Sequence, residues 1–245
     1  MRKNPLVYFI GGCLLYFVSI GCQLFHIGST VLIYYITPIL LHYAKYVLID
    51  IIYNITLSIE IKYKDLNNML LEINSVTTVT SKSATKLIKK VRILYLKINS
   101  VIDTFNSFFG WPLLLLVAHS FAQILTCLSL LATNSYPDVL SARIVISYYL
   151  IMTMGFLLRV ISGCDNVLKA SHNFVQNCFE LRESFPLTSK PAEEIEKLQA
   201  TFKVQSNISA AGFFEINRSL LLSIFSTATT YLIVVIQFRS VYSVQ

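Results

Sequence analysis

Apolar residues in this chain gather in five runs, at about 6–27, 31–53, 108–131, 143–163 and 219–238, separated by stretches of mixed polarity. Each run approaches the roughly twenty residues that an α-helix needs to cross a hydrocarbon core of about 30 Å. The intervening stretches also carry a helical period. Leu87, Val91, Leu94, Ile98, Val101 and Phe105 recur at i, i+4, i+7, i+11, i+14 and i+18, which predicts one apolar helix face leading directly into the third span. A further helix is predicted after Pro186-Leu187-Thr188-Ser189-Lys190-Pro191, with Ser189 as its N-cap and Glu193 and Glu194 offsetting the dipole of its first turn. The fold class that follows is all-α, a polytopic membrane helix bundle with helices extended out of the bilayer.

Composition agrees with the pattern: 55% of the residues are hydrophobic and 13% charged. The net charge of +7 does not point to nucleic acid, because Lys and Arg alternate with apolar spans and never form one basic face with interleaved aromatics. Their distribution instead sets orientation. Lys62, Lys64, Lys82, Lys86, Lys89, Lys90, Arg92 and Lys97 lie between spans two and three, and Lys169, Arg182, Lys190, Lys197, Lys203 and Arg218 between spans four and five. The positive-inside rule makes both segments cytoplasmic, with the amino terminus inside and the carboxy terminus outside. The expected layout is two spans in 1–60, cytoplasmic helices in 61–105, spans three and four in 106–163, cytoplasmic helices in 164–217, and a final span with an extracellular tail in 218–245.

The first run follows Arg2 and Lys3 but continues past Ile20 without a small-residue cleavage site, so it is expected to be a retained span and not a secretion signal. Five cysteines, an odd number without Cys-x-x-Cys spacing, read as small buried hydrophobes. The sequons at Asn54, Asn207 and Asn217 fall in membrane or cytoplasm under this topology and are expected to be unmodified. The four histidines form no metal-binding pair, and there is no nucleophile elbow or glycine-rich phosphate loop. The reading is therefore no enzyme, no metal and no cofactor.

The final span is chemically the most distinctive. At 100° per residue, Ser219, Ser223, Ser226, Thr230 and Gln237 fall within a stripe about 60° wide, with Ile233 and Val234 between Thr230 and Gln237. Such a face can line a pore with a polar section, an apolar constriction and a ring of Gln. It can equally be a packing face whose hydroxyls bond back to the i−4 carbonyls. Periodicity leaves both readings open.

The span closes on Thr230-Tyr231-Leu232-Ile233-Val234-Val235-Ile236-Gln237-Phe238, a Thr-Tyr and a Gln-Phe pair held apart by five apolar residues. This resembles the carboxy-terminal signature of the insect gustatory receptors, carried here by Thr230, Tyr231, Gln237 and Phe238. Ala210-Ala211-Gly212-Phe213-Phe214-Glu215-Ile216-Asn217 is similar to that family's approach to its last helix, and Asn106-Ser107-Phe108-Phe109-Gly110-Trp111 to its approach to the fifth. Leu66-Asn67-Asn68-Met69-Leu70 fits its cytoplasmic segment. The resemblance implies a seven-span, tetrameric, ligand-gated cation channel in the cell membrane, with the last helix around the pore. Ser223, Ser226, Thr230, Ile233, Val234 and Gln237 are then the expected pore-lining residues.

The five runs correspond to the last five of the family's seven spans, so the chain reads as amino-terminally short, a fragment or a reduced paralogue. Leu232 stands where sugar-responsive members tend to carry an acidic residue, which makes sugar a poor first choice of ligand. Under the charge-derived topology, Tyr35 and His42 of span two, His119 and Gln123 of span three, and Tyr148, Tyr149 and Thr153 of span four lie at similar depth in the outer half. Apolar walls with a few polar or aromatic groups suit a small organic tastant. Expected partners are lipid, that tastant, and subunits of a homo- or hetero-tetramer. The alternative is a truncated, non-sensing subunit that acts as a scaffold or modulator of longer receptors.

Overall fold

The computed structural model describes residues 29–75, 81–133, 139–186, 188–202 and 207–242, with backbone alone described at 29–39, 41, 74–75, 81, 133, 139–141 and 239–242. The first predicted span, 6–27, lies outside the described residues. Among those described are five helices: α1 (Ser29–Ser75), α2 (Ser81–Thr133), α3 (Val139–Glu183), α4 (Lys190–Thr201) and α5 (Arg218–Tyr242). One short antiparallel hairpin, β1 (Ser209–Ala210) and β2 (Phe214–Glu215), pairs Ser209 with Glu215 and Ala210 with Phe214. By contacts the chain divides into two units, 1–48 and 49–245. The first contributes the amino-terminal part of α1, and the packing below belongs to the second.

Helix length and apolar content together define the architecture. The 53 residues of α2 span about 80 Å at 1.5 Å per residue, against a hydrocarbon core of about 30 Å. One helix thus crosses a bilayer and projects well beyond it. Pro112 sits inside α2 without ending it, as membrane helices tolerate where neighbours satisfy the freed carbonyl. Stretches of α2, α3 and α5 (Lys82–Ala132, Ala142–Glu183 and Arg218–Phe238) are, among the described residues, long and apolar enough to cross a membrane. They contain the third, fourth and fifth predicted spans. The protein is a helical membrane bundle.

Beyond the apolar runs, the extended halves of α1, α2 and α3 form a packed core with α4. Tyr63, Tyr95 and Phe174 are fully buried, and the Tyr95 ring stacks on Phe174 at 5.3 Å and meets Phe202 edge-on at 5.2 Å. Tyr63 donates to Asn99 Oδ1 at 3.1 Å, which satisfies its hydroxyl in a place where burial pushes the phenol pKa up to about 12. The apolar seam expected on α2 is rotated. Its buried line is Ala84, Ile88, Val91, Tyr95, Ile102 and Phe105, sharing only Val91 and Phe105 with the expected line. Leu87, Leu94 and Ile98 are half-buried and Val101 is exposed. The two lines differ by about 60° around the helix. The cause is chemical: an apolar count passes over Tyr95, whose ring is buried against Tyr63 and Phe174, and Asn99, which is buried accepting from Tyr63, and the two draw that side inward.

The helix expected after Pro191 forms as α4, with the Ala192 N–H donating to Ser189 Oγ at 3.4 Å. Ala192, Ile195 and Leu198 bury its apolar face. Glu194 does more than offset a dipole, because it is buried and faces Lys197, Arg92 and Lys89 at 3.2, 3.7 and 3.8 Å. A buried carboxylate of this kind is tolerated only with such partners.

Candidate functional site

The site is built around α5 and its root. A tight hairpin precedes the helix, closed by the Phe213 N–H donating to the Ala210 carbonyl at 2.9 Å. Ala211 at φ 50° and Gly212 at φ 78° are both left-handed and, with Phe213, make the three-residue connection between the paired Ala210 and Phe214. Asn106 of α2 holds the hairpin by both ends of its amide, donating to the Asn207 carbonyl at 2.7 Å and accepting from the Ser209 N–H at 3.1 Å. One turn further on, Gly110 admits the turn itself: a Cβ there would stand 3.0 Å from the Ala211 nitrogen and 3.1 Å from its Cα. The segments Asn106–Trp111 and Ala210–Asn217, far apart in sequence, therefore form a single joint.

From this joint α5 starts with Asn217 as its cap, its Oδ1 accepting from the N–H groups of Ser219 at 3.1 Å and Leu220 at 3.4 Å. Asp165 of α3 clamps the same end. Its buried carboxylate takes the Arg218 N–H at 3.3 Å and lies 3.0 Å from the Arg218 guanidinium and 2.8 Å from Lys169 Nζ. The negative charge sits at the positive end of the helix, where the dipole also favours it.

Along α5 the buried residues are Ile224 and Ala228. Ser219, Ser223, Ser226, Thr230, Ile233, Val234 and Gln237 are exposed. On the helical wheel the packed face centres about 160° from the hydroxyl stripe, so the stripe points away from the chain's own bundle. Ser223 and Thr230 donate to the carbonyls of Ser219 and Ser226, at 3.2 and 3.0 Å, and Thr227 and Thr229 do likewise. With the donor spent on the backbone, each hydroxyl oxygen turns its remaining acceptor capacity outward.

The expected ligand residues are only partly assembled. Thr153 of α3 is buried and donates to Gln123 Oε1 of α2 at 3.4 Å. The rings of Tyr148 and Tyr149 meet edge to face at 6.2 Å. His119 is exposed one turn from Gln123 on the same face of α2. His42 is half-buried within the first unit, and the side chain of Tyr35 lies outside the described residues.

Several packing and ionic contacts near the apolar runs are not legible from periodicity. Arg159 pairs with Asp50 at 2.6 Å and lies 4.6 Å above the Tyr53 ring; Asn54 donates to the same carboxylate at 3.0 Å. Charged residues so close to apolar runs were the available signal. At Gly163 a Cβ would meet Thr56 Oγ1 at 2.6 Å, so α1 and α3 cross there at the close range small residues allow in membrane bundles.

Fold and site define a polytopic helical membrane protein whose last helix is anchored at one end and presents a hydroxylic face outward. Residues 6–242 match the family model described as 7tm Chemosensory receptor, and the chain belongs to that family. It is similar to "Putative gustatory receptor 28b" of Drosophila melanogaster, 25% identical over 178 residues, which cover 68% of this chain and 37% of that protein. It is also similar to "Putative gustatory receptor 28a" of the same organism, 23% identical over 172 residues, covering 67% and 38%. The chain thus spans under two fifths of the length of these curated relatives.

Proposed function

We propose that the protein is a gustatory receptor subunit and contributes α5 to the wall of a ligand-gated, non-selective cation channel opened by a small organic tastant. The observation that carries this reading is the direction of the Ser223, Ser226, Thr230 and Gln237 stripe, away from the chain's own packed face. Uncharged oxygens with outward acceptor capacity suit a cation, and Ile233 and Val234 supply an apolar ring that gates by dewetting. Gln123 with Thr153 and Tyr148 with Tyr149, where α2 and α3 run side by side, are the favoured ligand contacts. In this reading the extended helix halves are cytoplasmic and the carboxy terminus is extracellular.

Ionic current from cells expressing the chain, with a longer subunit supplied where it is silent alone, tests the proposal. Gln237→Glu would add one carboxylate per subunit and is expected to raise divalent permeability or block, and Ile233→Ser to produce current without ligand. Unchanged current and reversal potential for both, in channels shown to contain the subunit, would leave the stripe a packing face. The scaffold reading would then take over, supported by the back-bonded hydroxyls.

Assembly belongs to the same proposal. The flank of α2 at Leu94, Ile98 and Val101, left over by the rotated seam, is assigned to contact with other subunits. Val101→Glu is expected to reduce oligomer size in detergent while leaving helix content unchanged; an unaltered oligomer would remove this surface from the interface.

A further inference from the structure

Aromatic surface collects at the joint where α2 begins its apolar run and α5 departs. Phe108, Trp111 and Phe213 are 73%, 62% and 69% exposed, and the rings of Trp111 and Phe213 meet edge to face at 6.1 Å. The exposure is held in place by the fold. Asn106 grips the first arm of the hairpin and Gly110 lets the turn backbone sit against α2, so Phe213 at the tip is presented beside Trp111.

We propose that this aromatic foot seats in the boundary between lipid headgroups and acyl chains, on the side of the membrane from which α2 and α5 start their crossings. Three observations favour lipid as the occupant. Phe108, Trp111 and Leu115 share one side of α2, within about 60° at 100° per residue, and Leu115 is exposed as well. The aromatic surface therefore continues into the apolar run. On α5, Leu222 and Phe225 are exposed in the first two turns, so the second crossing also opens with uncovered apolar surface. Finally, the close approach of Gly110 and Ala211 puts both starts at one depth, with the Arg218 guanidinium partly exposed nearby although paired with Asp165. Trp concentrates at this depth of a bilayer, where its apolar body and its N–H are both satisfied, adjoining Phe rings can bury in the upper acyl region beside it, and cationic groups favour the adjacent phosphates. The foot fixes the depth of the joint, and with it the level from which α5 enters the membrane. This inference is independent of ion conduction.

Trp111 is the single tryptophan of the chain, so its fluorescence reports this place without engineering. The full chain is reconstituted in phosphatidylcholine vesicles carrying a quencher at the headgroup, the upper acyl chain or the lower acyl chain. Quenching by the headgroup or upper-chain probe is expected to exceed that by the lower-chain probe by roughly twofold or more. Trp111→Phe combined with Phe213→Trp moves the reporter to the hairpin tip and should reproduce the depth profile. Strongest quenching from the lower acyl chain would overturn the proposal. So would protection from every lipid probe and from aqueous iodide, the signature of a ring covered by another protein surface such as a second copy. Iodide quenching without lipid quenching would place the foot in water and also defeat it, and a profile seen for Trp111 but not for the tip would remove the hairpin from the anchor.

Discussion

Asp165 shows how much one side chain can organise. A buried carboxylate in the midst of apolar residues is costly, and it is retained here because it faces two cations and a helix-terminal N–H. The two contacts to Arg218 tie α3 to the first residue of α5, and Lys169, one turn along α3, adds a second cation to the carboxylate, so the charge fixes where the last helix begins. Asp165→Ala is expected to lower stability by about 1–3 kcal/mol, chiefly because the part-buried Arg218 N–H loses its acceptor, while Lys169 and Arg218, 54% and 61% exposed, remain hydrated. Asp165→Asn, which keeps an acceptor for the Arg218 N–H and loses only the charge, should cost less. Thermal unfolding of detergent-solubilised variants followed by circular dichroism checks the order; equal losses for the two would make the charge irrelevant to the clamp. Such a residue was not legible beforehand. A lone Asp beyond an apolar run has no periodicity, and its meaning comes from Arg218, 53 positions away.

The elements themselves were more legible. Apolar run length located α2, α3 and α5, and Ser189 with Pro191 located α4, because these signals are local and each depends on a single physical requirement. The seam on α2 was misplaced by about 60° since it was traced by apolar residues alone, and Tyr95 and Asn99 are polar residues whose burial depends on Tyr63 and Phe174 of other helices. The hairpin was missed as structure although Gly212 and the paired aromatics were noticed as motif. Strands two residues long carry no alternation to read, and the docking partner lies a hundred residues upstream at Asn106. Two glycines test these close approaches. Gly110→Ala would press a methyl against the Ala211 backbone, which cannot rotate away, and should destabilise by about 1–3 kcal/mol, as overpacking does. Gly163→Ala meets the Thr56 hydroxyl instead. Adding Thr56→Ala to that variant removes the obstacle and is expected to restore most of the loss, whereas Gly110→Ala has no side-chain remedy. Melting temperatures of the three variants decide it, and a Gly163→Ala loss that Thr56→Ala leaves untouched would place the strain elsewhere.

At the scale of the whole molecule, the extended core constrains topology independently of charge. Tyr63 near the carboxy end of α1, Tyr95 near the amino end of α2, Phe174 near the carboxy end of α3 and Phe202 after α4 all meet in one cluster. These ends must then share one side of the membrane, along with the turn at Pro186. Helix α5 starts from the same side, because its root is clamped to α3 at Asp165, and in the proposed crossing its far end would emerge on the other. On the proposed reading, in which α5 crosses the bilayer, a tag between Ser75 and Thr85 and a tag after Gln245 are expected on opposite faces, and the Lys/Arg distribution predicts that the first is cytoplasmic. Antibody staining of intact and permeabilised cells separates the two arguments. Terminal tag outside and loop tag inside is the expected result. Opposite faces with the sign reversed would refute the charge rule here and keep the bundle, whereas both tags on one face would mean that α5 does not cross, and the pore proposal would fall with it.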